Sequence, residues 1–233
     1  MTGPTRVSCH EYGDAAVLVD IEGDTYDDRW DVARRLGRSL PDAGVPGLVD
    51  VVATFQDVVV TFDPLVTDTD AIRSAIVEQA GRPGASALPR RFHVPAVYGG
   101  EHGPDLADVA AELSLTPDEL VDLHTCADWT VRFTASPVGA PFMDGPDLPR
   151  SVARMREPRA RLPAGSVAMS GQQSMIYPAA SPGGWRIVGR TPSPLFDLDH
   201  EPPMPYAAGD VIRFFAIDAT AWDDHAVRPE ADT

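Results

Sequence analysis

The chain has 233 residues, 43% of them hydrophobic, enough to fill one large core or two small ones. Its 19 cations are all arginine and stand against 35 acids, for a net charge of -16, which disfavours nucleic acid and anionic membrane surfaces as partners. With no lysine there is no Schiff base, no biotinyl-lysine and no phosphate-loop lysine. The N-terminus lacks the apolar core of a signal peptide and no run approaches the about 20 apolar residues of a membrane span, so a cytoplasmic location is expected.

Residues 5 to 80 alternate strand and helix signals. The segment VSCHEYGDAAVLVDIE reads as two extended pieces around a turn at Gly13 and Asp14. DTYDDRWDVARRLGRSL starts acidic and puts Trp30, Ala33 and Leu40 near one helical face. GLVDVVATF and VVVTFDP, parted by Gln56 and Asp57, resemble a hairpin. A helix over DTDAIRSAIVEQAG follows, with Asp68 as N-cap, Ile72, Ala75, Ile76 and Gln79 on one stripe, and Gly81 at its end. This is a small α/β sandwich. The stretch GRPGASALPRR (81–91) reads as a linker, so the domains are set at 1–84 and 85–233.

The second domain opens with a strand, RFHVPAVY, and a turn, GGEHGPDL. A helix follows with Leu106, Val109, Ala110 and Leu113 at i, i+3, i+4, i+7 spacing. Thr116, Pro117 and Glu119 fit a capping box for the next helix, which puts Leu120, Leu123 and His124 on one side. From about residue 128 the signals are short β-prone runs broken by Pro and Gly, the pattern of a β-barrel or sandwich. The last residues, DATAWDDHAVRPEADT, read as a frayed acidic tail.

Between Leu148 and Phe196 seven arginines (150, 154, 156, 159, 161, 186 and 190) meet a single acid, Glu157. Such a stretch fits an anion-binding cleft or an acidic partner; equally, its arginines could pair with acids from other segments. The glycines of SPGGW and the GRTP turn read as places where a ligand or a neighbouring strand comes close, because no Cβ intervenes. Trp185 could roof a pocket or fill a core. His124 could be a structural histidine or an acid/base near the arginines. Gln172 and Gln173 could hold a lactam, urea or carboxylate, or brace a loop. Cys9 and Cys126 form no CxxC, and GxSxG, HExxH, GxGxxG and GxxxxGK[ST] are all missing, so no triad, metal site or nucleotide loop is expected.

Taken in order, YGGEHGPDLADVAAELSLTPDELVDLH, EPRARLPAGSV, GQQSMIYP, SPGGWRIVGRTPSPLFD and AAGDVIRF resemble the B-subunit, or KipI-like, group of carboxyltransferase-domain proteins over nearly the whole chain. That group includes the B subunit of bacterial ATP-dependent 5-oxoprolinase and is similar to part of urea carboxylase. The resemblance implies an α+β chain, in which the small N-terminal domain is followed by a cyclophilin-like β-barrel. It implies ATP-driven opening of the 5-oxoproline lactam to glutamate, with A-subunit and C-subunit (KipA-like) homologues as partners and a small anionic substrate. ATP is implied for the complex rather than for this chain. By motif position it points to His124 and Arg159 as catalytic residues. Arg154, Gln172, Gln173, Tyr177, Gly184, Trp185, Arg190 and Thr191 become substrate-binding candidates. Arg159 or Arg190 is expected to hold the anion and His124 to move a proton. Two departures from the group's pattern, Val138 and Ala140 in the 135–143 loop and Ser174 with Met175, leave two other readings open: a KipI-like inhibitor of a sensor histidine kinase, or an enzyme of another small amide or acid.

Overall fold

A computed structural model describes residues 5–82 and 88–232. The chain divides into two compact units, Met1–Ala87 and Leu88–Thr233. Of the expected linker, residues 83–87 lie outside the described residues.

In the first unit β1 (Arg6–Glu11), β2 (Ala16–Glu22), β3 (Leu48–Ala53) and β4 (Asp57–Phe62) form an antiparallel sheet in the order β1-β2-β4-β3. Alternation sends Val17, Val19, Ile21, Val58, Val60 and Phe62 to one face. There they meet Val32, Ala33, Leu36 and Leu40 from the α1 (Tyr26–Ser39) segment and Ile72 and Ile76 of α2 (Thr69–Gly81). Local chemistry starts both helices: Thr25 and Asp28 form a capping box, and the Asp68 carboxylate accepts the Ala71 N–H at 2.8 Å.

The second unit is a closed seven-stranded barrel. Its strands are β5 (Arg91–Tyr98), β6 (Trp129–Ala135), β7 (Ala140–Asp144), β9 (Ser166–Ser170), β10 (Gln173–Ile176), β12 (Arg186–Arg190) and β13 (Val211–Ala216), ordered β10-β7-β6-β13-β5-β12-β9. The fold class is therefore the expected α+β one. β5 and β13 pair in parallel; the other barrel pairs are antiparallel. Val94, Trp129, Val131, Met143, Val167, Met169, Ile176, Val188 and Phe214 fill one continuous core with Leu106, Val109, Ala110 and Leu113 of α3 (Leu106–Leu113) and Leu120 of α4 (Pro117–Cys126). Two further strands, β8 (Arg159–Leu162) and β11 (Ser181–Gly183), pair only with each other.

The turn before α3 is welded to β12. Gly99 N–H donates to Val188 O and Asp105 N–H to Ile187 O. A Cβ on Gly103 would run into Val188 O, so only glycine lets the two backbones come this close. The register of β12 shifts between Ile187 and Gly189, and the freed Ile187 N–H donates to the Asp105 carboxylate at 2.7 Å.

The C-terminal segment departs from the expected frayed tail. Trp222 stacks on His102 at 4.9 Å between centroids, and the Arg190 guanidinium lies 5.0 Å from the Trp222 ring centre. Arg228 donates to the Pro202 and Pro203 carbonyls, Ala231 bridges to Phe92, and Asp232 N–H donates to Arg91 O. A large aromatic anchor and several backbone bonds outweigh the polar composition that suggested fraying.

Candidate functional site

Period-two alternation gives the barrel strands a second set of side chains, directed away from its core. Val167 and Met169 belong to the core while Ala168 does not; Ile176 and Met175 divide in the same way, as do Val188 and Ile187. Pairing lines these outward residues up across five strands as Phe133, Phe142, Met175, Ala168 and Ile187. Ala140, Leu162 of β8 and Tyr177 complete this apolar layer, and half-buried Phe142 and Trp185 pack on it. Phe133 stacks on Phe142 at 4.8 Å with 13° between planes, and Trp185 meets Phe142 edge to face at 5.3 Å and 87°. The neighbouring row is polar: the Asp144 carboxylate accepts from Arg132 Nε at 2.9 Å and from Gln173 Nε2 at 2.8 Å.

The double glycine before Trp185 serves this layer. A Cβ on Gly183 would run into the Tyr177 hydroxyl oxygen and lie 2.6 Å from Leu162 Cδ1, so the chain's own tyrosine fills the space. Gly183→Ala is expected to lower stability by about 1–3 kcal/mol through overpacking, visible as a drop in Tm with the fold retained. At Gly184 a Cβ would instead sit 3.5 Å from Arg154 Nη2. Burial pushes the Tyr177 hydroxyl pKa up, against the Trp185 backbone amide and the Arg154 charge, which pull it down. At neutral pH Tyr177 is a phenol, a hydrogen-bonding group rather than a base.

The residues singled out in the sequence are dispersed. Arg154, Gln173, Tyr177, Gly184 and Trp185 gather on or beside the outer layer. His124 does not: it is fully buried in the barrel core, with Nδ1 2.8 Å from the Tyr98 hydroxyl and Nε2 2.9 Å from Ser174 Oγ. Phe214 and Trp129 pack against its ring, at 4.4 and 4.8 Å between centroids. Burial holds its pKa down at about 3, so it stays neutral, donating through one nitrogen and accepting through the other. With both nitrogens occupied and no exposed surface, it braces the core in this geometry, away from the outer layer.

Arg159 is likewise engaged inside the fold. Its two terminal nitrogens each donate to one Asp105 oxygen at 2.8 Å. Burial pushes the Asp105 carboxyl up, but Arg159, the Ile187 N–H and Arg186 outweigh it and hold the pKa below the ordinary range. The guanidinium thus ties β8 to the turn before α3 and is committed to an internal acid. Arg190, the other expected anion holder, donates from Nε to Ala164 O at 2.8 Å and lies on Trp222. Thr191 is buried, and its hydroxyl accepts the Ser193 N–H. Gln172 accepts the Leu148 N–H, away from Gln173, so each amide braces a different segment.

The seven arginines divide into engaged and exposed members. Arg159 pairs with Asp105, Arg186 lies 4.0 Å from Asp108, and Arg190 is held by a carbonyl and a tryptophan. Arg150, Arg154, Arg156 and Arg161 are exposed, and among the described residues none of these four forms an ion pair. Of them, Arg154 stands beside the aromatic layer. Sequence reading missed Phe133, Phe142, Arg132, Asp144 and Asp105. Only the spacing of Phe142 and Asp144 on one strand offered a signal. Among the described residues no group of three or more His, Cys, Asp or Glu could hold a metal ion, and no helix is long and apolar enough to cross a membrane.

A closed barrel with an aromatic outer layer, joined in one chain to a helix-backed sheet, places the molecule among carboxyltransferase-type domains. A solved structure, TTHA0988, supports this with a TM-score of 0.75 at 26% identity, over 88% of this chain and 40% of that longer one. The family described as Carboxyltransferase domain, subdomain C and D matches residues 7–206. Two relatives are named as the B subunit of 5-oxoprolinase. That of Bacillus subtilis (strain 168) is 28% identical over 239 residues, 97% of this chain and 99% of its own. That of Escherichia coli O157:H7 is 32% identical over 210 residues, 90% and 95%. The chain belongs to this family, in its group of 5-oxoprolinase B subunits.

Proposed function

We propose that the chain is the B subunit of an ATP-dependent 5-oxoprolinase, acting in the cytoplasm with A and C subunits to open the 5-oxoproline lactam to glutamate. The observation that carries this reading is the end-to-end match to relatives of that name, covering 97% of this chain and 99% of the Bacillus subtilis one. TTHA0988 is consistent with a partner, since this chain spans only 40% of its length. The chemistry of the outer layer fits a subunit that holds substrate rather than one that reacts alone. Tyr177 is a phenol, Asp144 is clamped by Arg132 and Gln173, and His124 is neutral inside the core. The sequence has neither a lysine nor a GxxxxGK[ST] loop, so ATP is assigned to another subunit. A regulatory role on a sensor kinase is the second reading, favoured by the same shortage of a free acid or base.

The test is reconstitution with the A and C subunits. Glutamate is expected from 5-oxoproline only when all three subunits and ATP are present, with the isolated chain inactive. A verified three-subunit complex that makes no glutamate overturns the proposal.

A further inference from the structure

We propose that the stretch from Arg150 to Arg161 is a docking surface for a carboxylate-rich segment of a partner protein, whose acids meet the guanidinium groups of Arg150, Arg154, Arg156 and Arg161. The first observation is where the unpaired cations lie. Acids outnumber arginines 35 to 19, so pairing is the ordinary fate of an arginine in this chain. Arg73, Arg82, Arg90, Arg91 and Arg213 all reach an acid. Arg150, Arg154, Arg156 and Arg161 are exposed instead, and form no ion pair among the described residues. Even the acid that reaches this stretch from α3, Glu112, accepts the Ala153 N–H at 2.7 Å and neutralises none of the four. Four free cations in one short stretch of an acidic chain leave a charge that only an outside acid can answer.

The second observation is that this surface is held in place. Between β7 and β8 the chain has no helix or strand beyond the bridge of Val152 to Gly171, yet its backbone is pinned. Val152 and Gly171 exchange two N–H to O bonds of 2.8 Å, Met155 N–H donates to Gly184 O at 2.8 Å, and Arg186 Nε donates to Ala153 O at 3.2 Å. Met155 and Arg159 thus lie against the neighbouring residues Gly184 and Gly183, so the chain doubles back between them and draws Arg154, Arg156 and Arg161 together. A backbone fixed in advance loses little freedom when a partner arrives. Charge selects the partner. The net -16 repels a long polyanion such as nucleic acid or an anionic bilayer. At physiological salt, fields are screened beyond about 8 Å, so a short acidic segment confined to this stretch meets its cations and not the distant acids. Arginine forks pair with carboxylates at two points. The inference stands independently of the proposed reaction.

The test is fluorescence anisotropy of a fluorescein-labelled peptide of alternating glutamate and glycine, titrated with the full chain at low salt. Binding is expected with a Kd of about 100 μM or tighter, weakening as salt is raised. Arg150→Ala, Arg156→Ala and Arg161→Ala combined are expected to weaken it about 10-fold or more, and lysine at the same three positions to weaken it less. Arg154 is left in place because it stands beside the aromatic layer. The three replaced residues are exposed and unpaired among the described residues, so the combined variant should melt like the parent chain. A control with Arg6→Ala, Arg73→Ala and Arg82→Ala loses the same charge from the first unit and should bind within about twofold of the parent. No binding up to about 1 mM, or equal losses in the two triple variants, overturns the surface. Tighter binding of single-stranded DNA or phosphatidylserine vesicles that the Arg150, Arg156 and Arg161 variant abolishes assigns the stretch to phosphate, and a dimer in sedimentation that the same variant dissolves assigns it to a second copy. Either outcome overturns the proposal of an acidic partner.

Discussion

Arg159→Ala is expected to lower the unfolding free energy by about 3–5 kcal/mol, because it leaves a buried carboxylate without its cation. The Asp105 side chain is 6% exposed and that of Arg159 29%, so water can replace little of the lost pairing. Asp105 also holds the Ile187 N–H, and an uncompensated charge there disturbs the irregular point of β12. Equilibrium denaturation of Arg159→Ala, Asp105→Asn and the double variant forms a cycle whose coupling measures the pair. A loss under about 1 kcal/mol would show that the guanidinium is free to serve a ligand instead. The pH dependence has a definite sign. The folded Asp105 pKa is depressed below its ordinary 3.8, so its contribution is complete above that value and is lost as pH falls through the lower, folded one. Asp105→Asn should therefore flatten the acid limb of the stability profile below about pH 4.

His124→Ala is expected to cost about 3 kcal/mol or more, since it opens a core cavity and strips the Tyr98 and Ser174 hydroxyls of their shared partner. Between pH 6.5 and about 3 the unfolded chain binds a proton that the folded imidazole refuses. Stability is thus complete above pH 6.5 and falls on acidification, by up to about 1.4 kcal/mol per pH unit from this group. His124→Gln removes the titrating ring and should flatten that slope while keeping polar contacts. In the reconstituted complex, folded His124→Gln should keep kcat within about threefold, against the losses of about 100-fold or more that follow removal of a general acid or base. A large kcat loss with unchanged melting would restore the catalytic reading of this histidine.

The sequence alone was informative wherever a contact is local. The capping box at Thr116, the Asp68 cap and the apolar stripes of α1, α2 and α3 follow from neighbours three and four residues apart, so short-range pattern suffices. The short β-prone runs broken by Pro and Gly after residue 128 likewise announced a barrel or sandwich, because strands of a few residues joined by tight turns are what such folds are built from. The shared motifs carried the family. Tertiary structure decided what each polar residue faces. His124 and Arg154 look equally suited to a site in the sequence, yet one is sealed by Tyr98, Ser174, Phe214 and Trp129 and the other is exposed beside Gly184. Arg159 looked like an anion holder until the turn before α3 brought Asp105 to it across 54 positions. The parallel pairing of β5 with β13 and the docking of Trp222 on His102 depend on similarly distant partners. Local pattern fixes secondary structure and which residues turn inward; barrel closure fixes which charges meet, because that depends on chain segments no short window contains.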